Sequence, residues 1–139
     1  MREIRTSINI NAPREKVWQI LTNFEQYPTW NPFLKAISGD LVKGERLEVQ
    51  FEKMTFKPVV TQVEEFVAFS WLGNLWFKGL FDGEHRFFLE EHPDQTTTLH
   101  HSEQFKGLLV GAFRKMLDGE TTDGFHAMNR ALKERAENE

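Results

Sequence analysis

The sequence predicts an α+β fold: a curved antiparallel sheet of about six to seven strands wrapped around one long C-terminal helix, with two short helices after the first strand. Three observations carry this reading. Residues 81–107 read as a hairpin, two runs of period 2 flanking the polar turn His92-Pro93-Asp94-Gln95. Between residue 34 and that hairpin, strand-like runs succeed one another with only short turn signals, which favours an antiparallel meander over parallel crossovers. From Leu108 the period changes. Leu109, Phe113, Met116, Leu117, Phe125, Met128 and Leu132 recur at helical spacing, followed by the charged run KERAENE.

Taken in order, residues 2–10 alternate Ile4, Thr6, Ile8 and Ile10 against Arg5, Ser7 and Asn9, the pattern of a half-buried strand. Asn11-Ala12-Pro13 predicts a helix start with Pro13 in the first turn. Val17, Trp18, Ile20, Leu21 and Phe24 follow as its apolar face. A second helical turn, about Phe24 to Gln26, is expected to end by Pro28, because the residue before a proline avoids the α region. Tyr27 to Phe33 is an aromatic cluster punctuated by two prolines, either a plug at the end of the core or a rigid rim at a pocket mouth. Residues 34–39 predict a short strand closed by Gly39-Asp40, and Arg46 to Phe51 another. Thr55 to Val63 predicts a further strand in which Pro58 requires an edge or a bulge. After Glu64-Glu65, Phe66 to Leu72 reads as a strand, Gly73-Asn74 as a turn, and Leu75 to Leu80 as an apolar connection into the hairpin. Gly119 and Gly124 interrupt the helical segment. A glycine there costs about 1 kcal/mol relative to alanine, so the helix is expected to bend near Gly119.

At 139 residues the chain is expected to be a single domain, 1–139. It has no cysteine, which excludes disulfides and thiolate metal sites. A net charge of −4 argues against a general nucleic-acid binder. No apolar run approaches the roughly 20 residues of a membrane span, and MREIRTSINI lacks a signal-peptide core, so a soluble, cytoplasmic protein without membrane insertion is expected. Thirteen phenylalanines and four tryptophans against one tyrosine supply ring surface for a core or for a pocket wall.

The hairpin holds the chemistry. Gly83, His85, Phe87 and Leu89 share one face of its first strand, and Thr97, Leu99, His101, Glu103 and Phe105 one face of its second. Two histidines and a glutamate thus enter an apolar surface, where ionisable groups must be paired or solvated. His100 points the other way, toward solvent. A histidine with a carboxylate beside it suits proton transfer, yet the same pair is also an ordinary way to satisfy buried polar groups. Two histidines and a carboxylate are the residue types of a metal triad, but their spacing matches no ligand motif, so no metal is expected. There is no P-loop and no GxGxxG, and no cofactor is expected. Leu75-Trp76-Phe77 is the candidate for an exposed apolar patch or a lid.

The chain resembles the SRPBCC superfamily, the START/Bet v 1-like helix-grip proteins, and within it the polyketide cyclase/dehydrase-like branch. The resemblance rests on Ile8 to Pro13 followed by Val17-Trp18; on Tyr27 to Pro32; on Phe69-Ser70-Trp71 and Gly83 to Phe87; and on Thr98-Leu99 with Glu103 to Gly107, in the expected order over nearly the whole chain. It implies a pocket between the sheet and the C-terminal helix. Trp30, Phe69, Trp71, His85, Phe87, Leu99, His101, Glu103 and Phe105 would lie on or near it, with Phe113, Met116 and Leu117 on the helix side. The expected function is binding of a small hydrophobic or aromatic ligand in that cavity. One alternative is a cyclase/dehydratase-like enzyme using His85, His101 and Glu103 for acid–base chemistry. The other is a protein-interaction domain like the chaperone co-activators of this fold, as monomer or homodimer.

Overall fold

Alternating burial along the strands and a three-to-four spacing along the last helix build two layers around a ring-rich core. The structure, a computed structural model, describes residues 1–75 and 77–139; Trp76, at the centre of the expected apolar patch, lies outside the described residues. The elements run β1 (Arg2–Ile10), α1 (Arg14–Thr22), a 3-10 turn (Phe24–Gln26), α2 (Tyr27–Trp30), β2 (Leu34–Ser38), β3 (Glu48–Phe51), β4 (Met54–Phe56), β5 (Val59–Glu64), β6 (Ala68–Leu75), β7 (Phe81–Glu91) and β8 (Thr97–Lys106). The final helical stretch is α3 (Arg114–Met116), a π-helical segment (Leu117–Thr121) and α4 (Thr122–Asn138). The strands form an antiparallel five-stranded sheet, β1-β8-β7-β6-β5, and a three-stranded sheet, β2-β3-β4.

The α+β architecture is the expected one, with eight strands in two sheets. The extra strand comes from Pro58. It divides Thr55 to Val63 into β4 and β5, which belong to different sheets, because a residue without an N–H cannot carry one ladder through. Gly73-Asn74 is strand rather than turn: Gly73 pairs with Gly83, Asn74 with Asp82 and Leu75 with Phe81. Pro13 precedes α1 in extended geometry, its carbonyl accepting from Lys16 N and Val17 N. The second helical turn is the 3-10 turn Phe24–Gln26, as expected, but helix resumes across Pro28. Pro28 lies in the first turn of α2, where a missing N–H loses no helical hydrogen bond.

The C-terminal helix is distorted at the expected place, the π-helical segment enclosing Gly119. Its second half presents Phe125, Met128, Asn129, Leu132 and Ala136 to the core, the i, i+3, i+4, i+7 rows of one face. Gly124 has a packing role. A Cβ there would lie 2.3 Å from the Phe33 ring, which closes on Phe125 at 5.3 Å and on Phe51 at 4.9 Å. Gly124→Ala is therefore expected to lose about 1–3 kcal/mol, a typical overpacking cost, measured by urea unfolding. Unchanged stability would mean that the ring gives way freely. No helix of the described residues is long and apolar enough to cross a membrane.

Candidate functional site

Strand register assembles the site. In one row across the main sheet, Thr6 on β1 pairs with His101 on β8, His101 with Phe87 on β7, and Phe87 with Phe69 on β6. In the next row Ile4 pairs with Glu103, Glu103 with His85, and His85 with Trp71. Period 2 turns both rows to the face that α4 covers, so His85 and His101 meet on the diagonal of the β7–β8 ladder. Their Nε2 atoms are 2.6 Å apart. Both rings lie between Phe87 of the sheet and Phe125 of the helix: His101 stacks on them at centroid distances of 4.5 and 4.2 Å, and His85 at 4.8 and 5.0 Å.

The hydrogen bonds have a determinable direction. Thr6 Oγ1 donates its one proton to the His101 carbonyl at 2.7 Å, so it accepts from Asn129 Nδ2 at 2.8 Å. That orients the Asn129 amide with Oδ1 toward His101 Nδ1, 2.7 Å away, and makes Nδ1 the donor. His101 is fully buried. Burial first, then the neighbouring His85 and, least, His126, holds its pKa well below the ordinary histidine value against the opposing bond to Asn129. The neutral ring therefore carries its proton on Nδ1 and offers a lone pair at Nε2, which makes His85 Nε2 the donor between the two rings. On its other side His85 Nδ1 is 3.1 Å from Glu103 Oε1. Donation thus runs from His85 through His101 and Asn129 to Thr6, and the Glu103 carboxylate, its side chain 16% exposed, stands beside the far nitrogen of His85.

Gly83 makes room for that carboxylate. A Cβ on it would lie 2.3 Å from Glu103 Oε2, and in the sheet Gly83 stands between Phe105 and Gly73. Of these two neighbouring glycines, Gly83 is covered by the Glu103 carboxylate and Gly73 by the Phe56 ring, 3.4 Å from where its Cβ would stand.

The residues expected at the site divide into groups. Phe69, Trp71, His85, Phe87, Leu99 and His101 are buried and continuous, with Glu103 at their edge. Phe69 stacks on Phe87 at 4.7 Å, and Trp71 lies 5.1 Å from His85. Phe105 meets Phe81, which takes Phe113 edge-on, and Leu117 is buried. Met116 differs: it is 41% exposed and does not face this interior, because it belongs to the turn before the π-helical segment. Trp30 is also apart. It packs on Tyr27 at the end of the core, where Tyr27 is fully buried with its hydroxyl on the Leu21 carbonyl. The Tyr27–Phe33 cluster is thus a plug on its Tyr27 and Phe33 side. Trp30 instead lines a cavity of about 290 Å³ with Lys16, Gln19, Asn23, Gln26 and Arg135. A second, open groove of about 610 Å³ runs between β1 and the β7–β8 turn, lined by Asn9, His92, Asp94, Thr98 and Lys133 among others.

The cavity expected between sheet and helix is occupied by side chains, chiefly Phe125 against the histidines. Glu103 and His101 meet opposite nitrogens of His85, so the three groups do not converge on a point where one ion would sit. His100 sits on the outer face beside Glu90, as its strand parity predicts. Sequence reasoning did not single out Thr6, Asn129, Gly83 or Phe125 as site residues. For two of them a signal was present: Thr6 is the polar member of the inward set Ile4-Thr6-Ile8, and Asn129 interrupts the apolar row of α4.

A family model described as polyketide cyclase / dehydrase and lipid transport matches residues 1–137. Among solved structures, the chain resembles a hypothetical protein of Helicobacter pylori with a TM-score of 0.82 at 15% identity, covering 97% of this chain and 88% of that one. A START superfamily protein of Mycobacterium smegmatis gives 0.71 at 23% identity, covering 97% of each chain. DynU16, from the dynemicin biosynthetic locus, gives 0.74 at 19% identity over 97% of this chain and 48% of that one. At such identities these likenesses are of fold. No curated protein matches the sequence.

Proposed function

The chain belongs to the polyketide cyclase / dehydrase and lipid transport family, and from that premise we propose that it binds a small hydrophobic, ring-containing molecule between the main sheet and the C-terminal helix. The ligand lies against Glu103, His85 and Trp71. The observation that carries this reading is the polar chain inside a ring-lined interior, with the Glu103 carboxylate at its edge over Gly83. Rings supply apolar contact, and a few convergent polar groups fix orientation. Glu103 meets only His85 among the polar side chains of the described residues, so its Oε2 is an acceptor open to a ligand hydroxyl. Entry requires the start of the C-terminal helix to move, and the π-helical segment at Leu117–Thr121 is a break in regular helix suited to that. Acid–base catalysis of a cyclase or dehydratase kind is the second reading. The contact between His85 and Glu103 favours it, a histidine and a carboxylate side by side next to where the ligand would lie.

The test is a titration with 2-naphthol, a bicyclic ring with one hydroxyl, followed by calorimetry and by native mass spectrometry. A 1:1 complex is expected, weakened about tenfold or more in Glu103→Ala, as for loss of a hydrogen bond to a charged group. No binding of 2-naphthol, together with ligand-free protein when purified from its own host, would overturn the reading. Turnover of a bound host compound that is lost in Glu103→Gln would move the assignment to catalysis.

A further inference from the structure

The β6–β7 connection and the segment leaving β8 are joined into one lip. Leu108 N donates to the Gly79 carbonyl at 3.1 Å and Leu109 N to the Leu80 carbonyl at 2.9 Å. Under the lip Phe81 packs on Phe105 and Phe113 at centroid distances of 5.6 and 5.3 Å. Three apolar side chains of the lip are nevertheless left in water: Leu108 is 84% exposed, Phe77 72% and Met116 41%. Exposed cations are interleaved with them, Lys78 beside Phe77, Lys106 near Leu108, and Arg114 and Lys115 before Met116. Over residues 77–82 and 105–117 these four cations meet a single acid, Asp82, whose carboxylate accepts from Gly79 N. The chain as a whole carries −4, so this end is opposite in sign to the rest.

We infer that the lip docks on the surface of an anionic lipid bilayer, with Phe77, Leu108 and Met116 entering the headgroup boundary and Lys78, Lys106, Arg114 and Lys115 meeting lipid phosphates. Interfacial binding combines buried apolar area with attraction between cations and anionic lipid, and the lip brings both together. The cations match an anionic partner. The separate apolar tips match a fluid one, which closes around each side chain without a complementary pocket. A second copy of the chain fits less well, since a two-fold interface through this face would set four cations against four. The docking does not depend on the ligand reading, because vesicle binding is measured without ligand.

The test is co-sedimentation of the full chain with vesicles of phosphatidylcholine alone and of phosphatidylcholine mixed with phosphatidylglycerol. Binding to the mixed vesicles and not to the neutral ones is expected. Leu108→Asp and Phe77→Asp should each lower the partition coefficient about tenfold or more, and Lys115→Ala about fivefold. Raising salt toward about 1 M, where screening acts within about 3 Å, should release the protein. Circular dichroism of each variant checks that these exposed substitutions leave the fold intact. Failure to bind the mixed vesicles overturns the inference, as does binding that neither aspartate variant weakens. A concentration-dependent dimer that Leu108→Asp dissolves, without vesicle binding, would assign the lip to self-association instead.

Discussion

Phe125→Ala is expected to lower the unfolding free energy by about 3–5 kcal/mol, read from urea unfolding at neutral pH. Phe125 is fully buried and touches three things at once: the Phe33 ring, the His85 ring and the His101 ring. Removing it deletes the helix side of the sandwich around both imidazoles and leaves a cavity bounded by a sheet that cannot readily collapse into it. The variant also probes function, since the space it opens adjoins the His85 ring against which the proposed ligand lies. Indole should therefore stabilise Phe125→Ala more than the unsubstituted protein, as small apolar guests do in dry engineered cavities. A loss below about 1 kcal/mol would mean that α4 closes onto the sheet. Equal effects of indole on the two proteins would mean that no ring-binding space had formed.

The second large effect is on the dependence of stability on pH. His101 has an ordinary pKa of 6.5 in the unfolded chain, and its folded value lies well below that, chiefly through burial. As pH falls through 6.5 the unfolded chain takes up a proton that the folded chain refuses. Stability therefore falls with pH in this window, with a slope approaching about 1.4 kcal/mol per pH unit from this group, until the folded pKa is reached. Above 6.5 the ring is neutral in both states and the contribution is flat. Unfolding free energies compared at about pH 7.5 and pH 5.5 should show the loss, and His101→Gln should reduce it, because the amide keeps a polar partner for Asn129 without a titrating group. Equal stability at the two pH values would contradict a neutral, Nδ1-protonated His101 and the direction assigned to the hydrogen-bond chain.

These two residues also mark where sequence reading stops. His101 was legible: its strand parity opposite His100 put it inward, whereas the pairing of His85 with Glu103 waited on the register of the hairpin. Phe125 was legible only as one of several apolar residues at helical spacing. Its place over the imidazoles depends on how α4 crosses the sheet, and a period of 3.6 carries no information about crossing position. Two prolines differ from expectation for a related reason. Pro28 and Pro58 each state what the backbone lacks, an N–H, but the surrounding structure decides whether that gap falls in a first helical turn or between two sheets.

By itself the sequence determined the architecture, a meander of strands with a long C-terminal helix, and the inward set on each strand of the hairpin. It could do so because both are local, period-2 and period-3.6 patterns repeated over many residues. Only the tertiary structure decided which polar groups complete one another. Thr6 and Asn129, 123 residues apart along the chain, fix the tautomer of a histidine on a third element. It also decided that the interior between helix and sheet is filled by Phe125 and that the apolar residues of the lip face water. These outcomes depend on how separate elements pack in three dimensions, and no periodicity along the chain encodes that.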